Sequence, residues 1–586
     1  MKTKDVTKPI QVGKVFINSK RWPVQVREKT SLAGRTELTT CERNQTSACT
    51  KEIHRVGGIS FARNYNKRIH RQDYWKTIGN YSGRRAMSKM SNPGWMSKIR
   101  NVDLFDLEEQ PARSFIGGKW VTASSGQVFD VEDPGRSRVL ASVTDMAVEE
   151  TREAIEIAHT AFQKYRHSSV RERAAILRRW YELMLENADD LATMMTLENG
   201  KSLADSKGEV VYAANFLDWF SGEALRVNGD SHMASAPNNR ILTIKQPVGV
   251  VGIITPWNFP AAMITRKVGA ALAAGCTMVI RPAGETPFSA IALAKLAERA
   301  GVPAGVINMV TSDSPAEHGL ELTTNPLVRK VSFTGSTNVG KILANQSSST
   351  LKKLSLELGG NAPFIVFEDA DLEKAADALI ACKFRGSGQT CVCANRIFVH
   401  SNVYTPFVQL VYDRVSRFQL GYGLDEGVTH GPLVSRKAVH KVQEHVNDAL
   451  NKGATALTGG SVASEMGPCY FHPTVLIEAK HNMLIAQEET FGPVCALFKF
   501  STEEEVLKHA NNTPVGLAGY LFSKDISRVF RVAEALEVGM VGCNTGAVSD
   551  VLSPFGGVKE SGYGREGSQH GISEYLDIKS MTISLD

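Results

Sequence analysis

Two kinds of apolar spacing organise the chain. Between residues 147 and 190, apolar side chains recur at helical intervals: Ala154, Ile155, Ala158 and Phe162, then Leu177, Trp180, Tyr181 and Met184, with charges between them. That recurrence places them on one face of helices. From residue 248 the spacing changes. "VGVVGIIT" (248–255) is an unbroken apolar run, as expected of a strand covered on both faces. A helix is predicted through "AMITRKVGAALAAG", a strand in "TMVIRP", a helix in "SAIALAKLAERAG" and a strand in "GVINMVT". A short helix over 313–322 and a strand in "KVSFTGS" follow. Upstream, "FIGGKWVTASSGQVFDVEDP" alternates apolar and polar residues and reads as a short hairpin.

Alternating strands and helices imply an α/β fold with a parallel sheet covered on both faces. Ligands in such folds sit at the carboxyl ends of the strands. Two stretches fall there: "TPWNFP" after the first strand and "FTGSTNVG" after the fourth. The usual GxGxxG fingerprint is missing. The Gly335–Ser336–Thr337 turn still offers backbone N–H groups to a pyrophosphate, although a plain strand–helix turn favours the same residues.

Residues 1–100 lack this periodicity, and their charge differs from the rest. They hold 22 Lys/Arg against 6 Asp/Glu, while the remaining residues hold 45 against 55. The folded body is therefore mildly acidic, which excludes a basic nucleic-acid surface. "RNYNKRIHRQ" and "SGRRAMSKMSNPGWMSKIR" are rich in Arg, Lys and Ser and poor in acids, a composition that fits a mitochondrial transit peptide. The expected compartment is the mitochondrial matrix. The alternative is a cytoplasmic protein with a basic tail, or a start at Met87, Met90 or Met96. Folding is expected from about residue 105. No run reaches the roughly 18 apolar residues of a membrane span. The nine cysteines are odd in number and scattered, so a reducing compartment is expected and no metal site is.

Three stretches carry candidate chemistry. "LELGGNAP" sets Glu357 before a Gly-Gly break, suited to a mobile general base or an exposed carboxylate. "PWNFP" holds Asn258 between prolines, as an oxyanion donor or a turn cap. "GQTCVC" sets Cys391 in a glycine-led loop, as a nucleophile or a buried structural thiol.

With "RPAGETP", "FTGSTNVGK", "EETFGPV" and "PFGGVKESGYGREG", these stretches run in the order found in the aldehyde dehydrogenase superfamily, which residues 110–586 resemble. The resemblance implies Cys391 as nucleophile, Glu357 as base and Asn258 as oxyanion donor. It implies that Gly335, Ser336 and Gly340 adjoin the cofactor phosphates, with Trp257 nearby, and that Glu489 and Phe491 hold the nicotinamide ribose and ring. The implied fold is an α/β protein with a Rossmann-like doubly wound cofactor domain (105–227 and 248–360) and an α/β catalytic domain (361–553). A small β oligomerisation arm (228–247 and 554–586) completes it, after a basic leader (1–104). The arm implies a homodimer or homotetramer.

The finer pattern resembles the succinate-semialdehyde branch of that superfamily, on "ITRKVGAAL", "FRGSGQTCVCANR" and the serine in "CNTGAVSDVLSPFGG". It implies Arg266, Arg385 and Ser549 around a substrate carboxylate, which a guanidinium fork pairs well. The substrate expected is therefore succinate semialdehyde, with glutarate semialdehyde or an uncharged aldehyde as alternatives. Two departures stand out. "RPAGETP" keeps a cation at Arg281 but has Gly284 where the family commonly has a ribose-binding Glu. NAD or NADP is thus expected, with NADP accepted, although Glu285 one position on restores a negative charge. Gly386 replaces an Asn beside Arg385. Cys393 lies two residues from Cys391, on the same side of an extended loop if strand alternation holds there. It is either a redox partner for Cys391 or a filler.

Overall fold

The computed structural model describes residues 94–108 and 110–585. The first 93 residues of the expected leader, and the transit-peptide reading with them, lie outside the described residues. Its end does not: folding begins before residue 105. Trp95 is 3% exposed, and Ile99, Leu104 and Phe105 join the same core. The backbone N–H groups of Arg100 and Asn101 donate to the Asp190 carboxylate at 3.0 and 3.1 Å. These residues form two 3-10 turns, Met96–Lys98 and Val102–Phe105, too short to show a period.

The expected hairpin at 115–134 is divided between two. Ser114–Ile116 pairs with Lys119–Val121 around Gly117 and Gly118, both at positive φ. Val128–Asp133 pairs instead with Arg138–Thr144.

The predicted alternation forms as expected. Strands Val250–Ile254, Thr277–Arg281, Ile307–Met309 and Val328–Thr334 are separated by helices Ala262–Ala274, Pro287–Arg299 and Pro315–Thr324. A fifth strand, Lys353–Glu357, completes the parallel part of the sheet. Val251 and Ile253 face one core, shared with the helices at 262–274 and 287–299. Val250 and Ile254 face the other, shared with Ala154, Ile155, Leu322 and Leu343. A strand alternates its side chains, so only an all-apolar run satisfies two cores at once.

The first strand sits inside the sheet. Thr277–Arg281 lies on one side and Val328–Thr334 on the other. The chain winds outward in one direction and then the other, and the switch point falls where the 255–260 and 334–336 loops leave the sheet.

A second sheet contains Ala362–Val366, Ala394–His400, Val494–Phe500 and Ala518–Phe522, all parallel. Phe364, Ile397 and Leu497 face one core, Ile365, Phe398 and Phe498 the other. A third sheet joins Ser231–Met233, Asn239–Pro247 and Leu576–Ser584, all antiparallel. Its C-terminal strand starts at Leu576, whereas the expected arm began at 554. Gly562–Tyr563 instead pairs with the strand Lys353–Glu357, and Phe555 packs in the second sheet's core. No helix among the described residues is long and apolar enough to cross a membrane.

Candidate active site

Two cavities meet at the switch point. One, of about 510 Å³, is lined by Arg281, Gly284, Glu285, Asp313 and Val339 among others. The other, of about 450 Å³, is lined by Asn258, Glu357, Cys391, Glu489 and Phe491. Trp257, Thr334 and Gly335 line both, so the space is continuous past these residues.

The strand Lys353–Glu357 ends at the second cavity with Glu357, which is 3% exposed. Neither carboxylate oxygen has a hydrogen-bond partner. Burial pushes the Glu357 carboxyl well above its ordinary range. The nearby charge of Glu566 adds to this, against Arg266, Lys267 and Arg565. The surface-carboxylate alternative is excluded, since Glu357 is buried and faces the cavity.

Cys391 is partly exposed at the same cavity. Burial raises its thiol, as do the charges of Glu489 and Glu357, while Arg266 opposes them. The cavity therefore favours the thiol form of Cys391 over the thiolate. Asn258 comes from the loop after the first strand and donates from Nδ2 to the Gln389 carbonyl at 3.0 Å. Its second amide N–H remains available. The structure thus brings Asn258, Glu357 and Cys391 around one space.

Glu489 packs against the Gly-Gly break, where the Gly360 N–H donates to it at 3.3 Å. Burial pushes its carboxyl up to about 7. Phe491 holds positive φ and meets Trp257 edge to face at 5.6 Å. Gly335 follows the strand Val328–Thr334, and a Cβ there would fall 2.3 Å from the Phe333 ring. Ser336 caps the helix Thr337–Ser347, accepting from the Val339 N–H at 3.4 Å. The helix N-terminus therefore opens onto the junction of the two cavities, a site suited to an anion.

Arg281 is buried in the first cavity's wall. Its Nη2 donates to the Ser312 carbonyl at 2.9 Å, and its Nε has no partner. A Cβ on Gly284 would meet nothing closer than 3.6 Å, so a side chain would fit there. A buried cation with a spare donor, a helix N-terminus and an aromatic pair along one continuous space fit a dinucleotide.

The sequence model of the aldehyde dehydrogenase family matches residues 120–581. The chain belongs to that family. It is 78% identical over 488 residues to a succinate-semialdehyde dehydrogenase [NADP(+)] of Schizosaccharomyces pombe, covering 83% of this chain and 98% of the relative. A glutarate-semialdehyde dehydrogenase of Pseudomonas putida is 54% identical over 484 residues, covering 83% of this chain and all of the relative. A crystal structure described as an Escherichia coli NADP-dependent enzyme superposes with a TM-score of 0.81 at 53% identity, covering 83% of this chain and 100% of that one.

Within this aldehyde dehydrogenase, three expected positions differ. Gly340 lines neither cavity described here. A Cβ there would lie 2.5 Å from Leu358, so this glycine lets helix and strand pack closely. Arg266 is 1% exposed, and its Nε lies 2.6 Å from the Glu566 carboxylate. The Phe555 ring lies 4.0 Å from its guanidinium. Its charge is thus matched by a carboxylate inside the protein, while its Nη2 has no hydrogen-bond partner. Cys393 does not alternate with Cys391 along a strand, because the segment turns: the Cys393 N–H donates to the Thr390 carbonyl. Its buried thiol points to the Lys383 carbonyl at 3.4 Å.

Arg385 meets the expectation better. It is half-buried and joins no ion pair among the described residues. Its guanidinium lies 4.9 Å from the Phe259 ring and 6.0 Å from the Tyr212 ring. Tyr212 shares a 2.5 Å hydrogen bond with Ser549.

Lys267, Glu566 and Tyr212 are neighbours of the site that sequence reasoning missed. Lys267 contacts the Glu566 carboxylate and donates to Thr334 Oγ1 at 2.6 Å. The signal for Lys267 and Glu566 was their place inside the quoted stretches "ITRKVG" and "GYGREG". Tyr212 had none, since it lies in the helix Leu203–Glu223, outside every quoted stretch.

Proposed function

We propose that this enzyme oxidises succinate semialdehyde to succinate and uses NADP. The observation that carries the substrate reading is the free guanidinium of Arg385, six residues before Cys391 and beside the Tyr212–Ser549 pair. In the proposed reaction, Cys391 Sγ attacks the aldehyde carbon, and the spare N–H of Asn258 stabilises the oxyanion of the resulting thiohemiacetal. A nicotinamide held by Trp257, Glu489 and Phe491 would supply the hydride acceptor that lets the adduct on Cys391 become a thioester. Glu357, once deprotonated, takes a proton from water, and the hydroxide releases the acid. Burial disfavours the anionic form of both Cys391 and Glu357, so deprotonating either costs more than it would in water.

Gly284 and Arg281 support the cofactor reading. The glycine removes a carboxylate that would repel a 2′-phosphate, and the arginine adds a cation. The Schizosaccharomyces pombe relative is named for NADP. The three-stranded sheet supports a homo-oligomer, since Met233 and Ile578 on it are 72% and 71% exposed. Light scattering tests that point.

The deciding experiment is steady-state kinetics with succinate semialdehyde, glutarate semialdehyde and propanal, each with NAD and NADP. The reading expects a strong preference for the carboxylated aldehydes and higher kcat/KM with NADP. Equal turnover of propanal would remove the substrate reading. Glutarate semialdehyde is the close competitor, since one methylene is worth only about 1–3 kcal/mol.

A further inference from the structure

The loop that carries Asn258 is gripped from behind by side chains that line neither cavity. Lys201 follows the helix Ala188–Asn199, which ends at Gly200 with φ +91°. Lys201 and Glu209 are both buried, and their Nζ and Oε2 atoms lie 2.5 Å apart. Lys201 Nζ also donates to the Asn258 carbonyl at 2.7 Å and lies 4.4 Å from the Phe259 ring. The ammonium thus has two oxygens and a ring face around it. The other Glu209 oxygen accepts from the Ala261 and Ala262 N–H groups at 3.0 and 3.3 Å, at the start of the helix Ala262–Ala274. Asn199 Nδ2 donates to the Trp257 carbonyl at 2.9 Å.

These contacts bracket residues 257–262 from both ends. The carbonyls of Trp257 and Asn258 are held by donors, and the N–H groups of Ala261 and Ala262 by an acceptor. What remains free in the loop is the Asn258 side chain, and its bond to Gln389 sets that. Two apolar residues of similar volume would fill the same space at no loss of stability, because a buried pair spends most of its attraction on desolvation. They would not hold a carbonyl in place.

We propose that Lys201 and Glu209 are positioning residues that fix the Asn258 backbone and so aim its spare amide N–H at the oxygen of the aldehyde under attack. This rests on the oxyanion role given to Asn258 above, and the test separates the two.

The experiment is a double-mutant cycle in the full-length enzyme, using Lys201→Met, Asn258→Ala and the pair. It reads kcat and KM with succinate semialdehyde and with propanal at saturating NADP. A misaimed donor costs on the order of 10²-fold. Lys201→Met is therefore expected to lower kcat by that order for both aldehydes. In the Asn258→Ala background it should cost almost nothing more, since the group it aims is gone. Two losses that simply multiply would overturn the proposal, because Lys201 would then act elsewhere. Full kcat in Asn258→Ala alone would sink the oxyanion role and this inference with it. Thermal melts come first. If Lys201→Met fails to fold, Glu209→Gln takes its place in the cycle, since it keeps the shape and an acceptor for the helix N–H groups while removing the charge. The same non-additivity is expected.

Discussion

Two arginines expected to share one task stand in opposite surroundings. Arg266 is wholly buried, paired with Glu566 and packed against Phe555. Arg385 is half-buried, lies over Phe259 and pairs with no carboxylate among the described residues. The difference separates a charge that serves the protein from one that is available to a ligand. A matched charge has already been compensated for its loss of water. An unmatched one gains when a carboxylate arrives. Arg266 still bears on the chemistry, but through Glu357, whose carboxyl it lowers from a distance.

The comparison breaks most visibly in stability. Arg266→Ala leaves the Glu566 carboxylate with only Lys267 as a close cation, which should cost about 3 kcal/mol of unfolding free energy. Arg385→Gln should stay within about 0.5 kcal/mol of the parent. Denaturant titration of both variants decides this, and equal losses would erase the distinction.

Next in size is substrate affinity. A guanidinium–carboxylate hydrogen bond is worth about 1.5–3 kcal/mol, so Arg385→Gln should raise KM for succinate semialdehyde about 10–100-fold. Propanal kinetics should hardly move. An equal effect on both aldehydes would mean that Arg385 acts on the loop rather than the substrate.

The pH profile sharpens the contrast further. In the proposed role of base, Glu357 acts only when deprotonated, and burial holds its carboxyl above the ordinary range. Turnover should therefore rise as pH increases through that raised value. Removing the Arg266 charge with Arg266→Gln makes the anion less favourable and moves the rising limb to higher pH. Arg385→Gln should leave the limb in place. A limb that stays put in Arg266→Gln would show that another group sets it.

The smallest effect expected is on cofactor choice. Two like charges 4 Å apart in water repel by about 1 kcal/mol. Gly284→Glu meets no clash at its Cβ and should lower kcat/KM for NADP about fivefold relative to NAD. An unchanged ratio would move cofactor selection to other residues of that cavity.

The regular parts of the fold were legible because their signals are local. An all-apolar run marks a strand covered twice, and helical spacing marks a face, so the alternation from Val250 to Thr334 emerged as predicted. The turns around Trp95 and Phe105 were not legible, since three or four residues carry no period. In the site, Cys391, Glu357 and Asn258 stood out by residue type and loop context. Gly340 was misplaced because a helix glycine beside a phosphate and one beside Leu358 look the same in sequence.

The sequence by itself determined the α/β order, the candidate trio of Asn258, Glu357 and Cys391, and the presence of two arginines in suggestive stretches. Each of these depends on residues close together in the chain. Only the tertiary structure decided which arginine is spent. Arg266, near the middle of the chain, meets its carboxylate in Glu566, near the C-terminal end, and Lys201 grips a loop well beyond its own helix. Charge compensation depends on distance in space and on exclusion of water, and both arise only when the chain is folded.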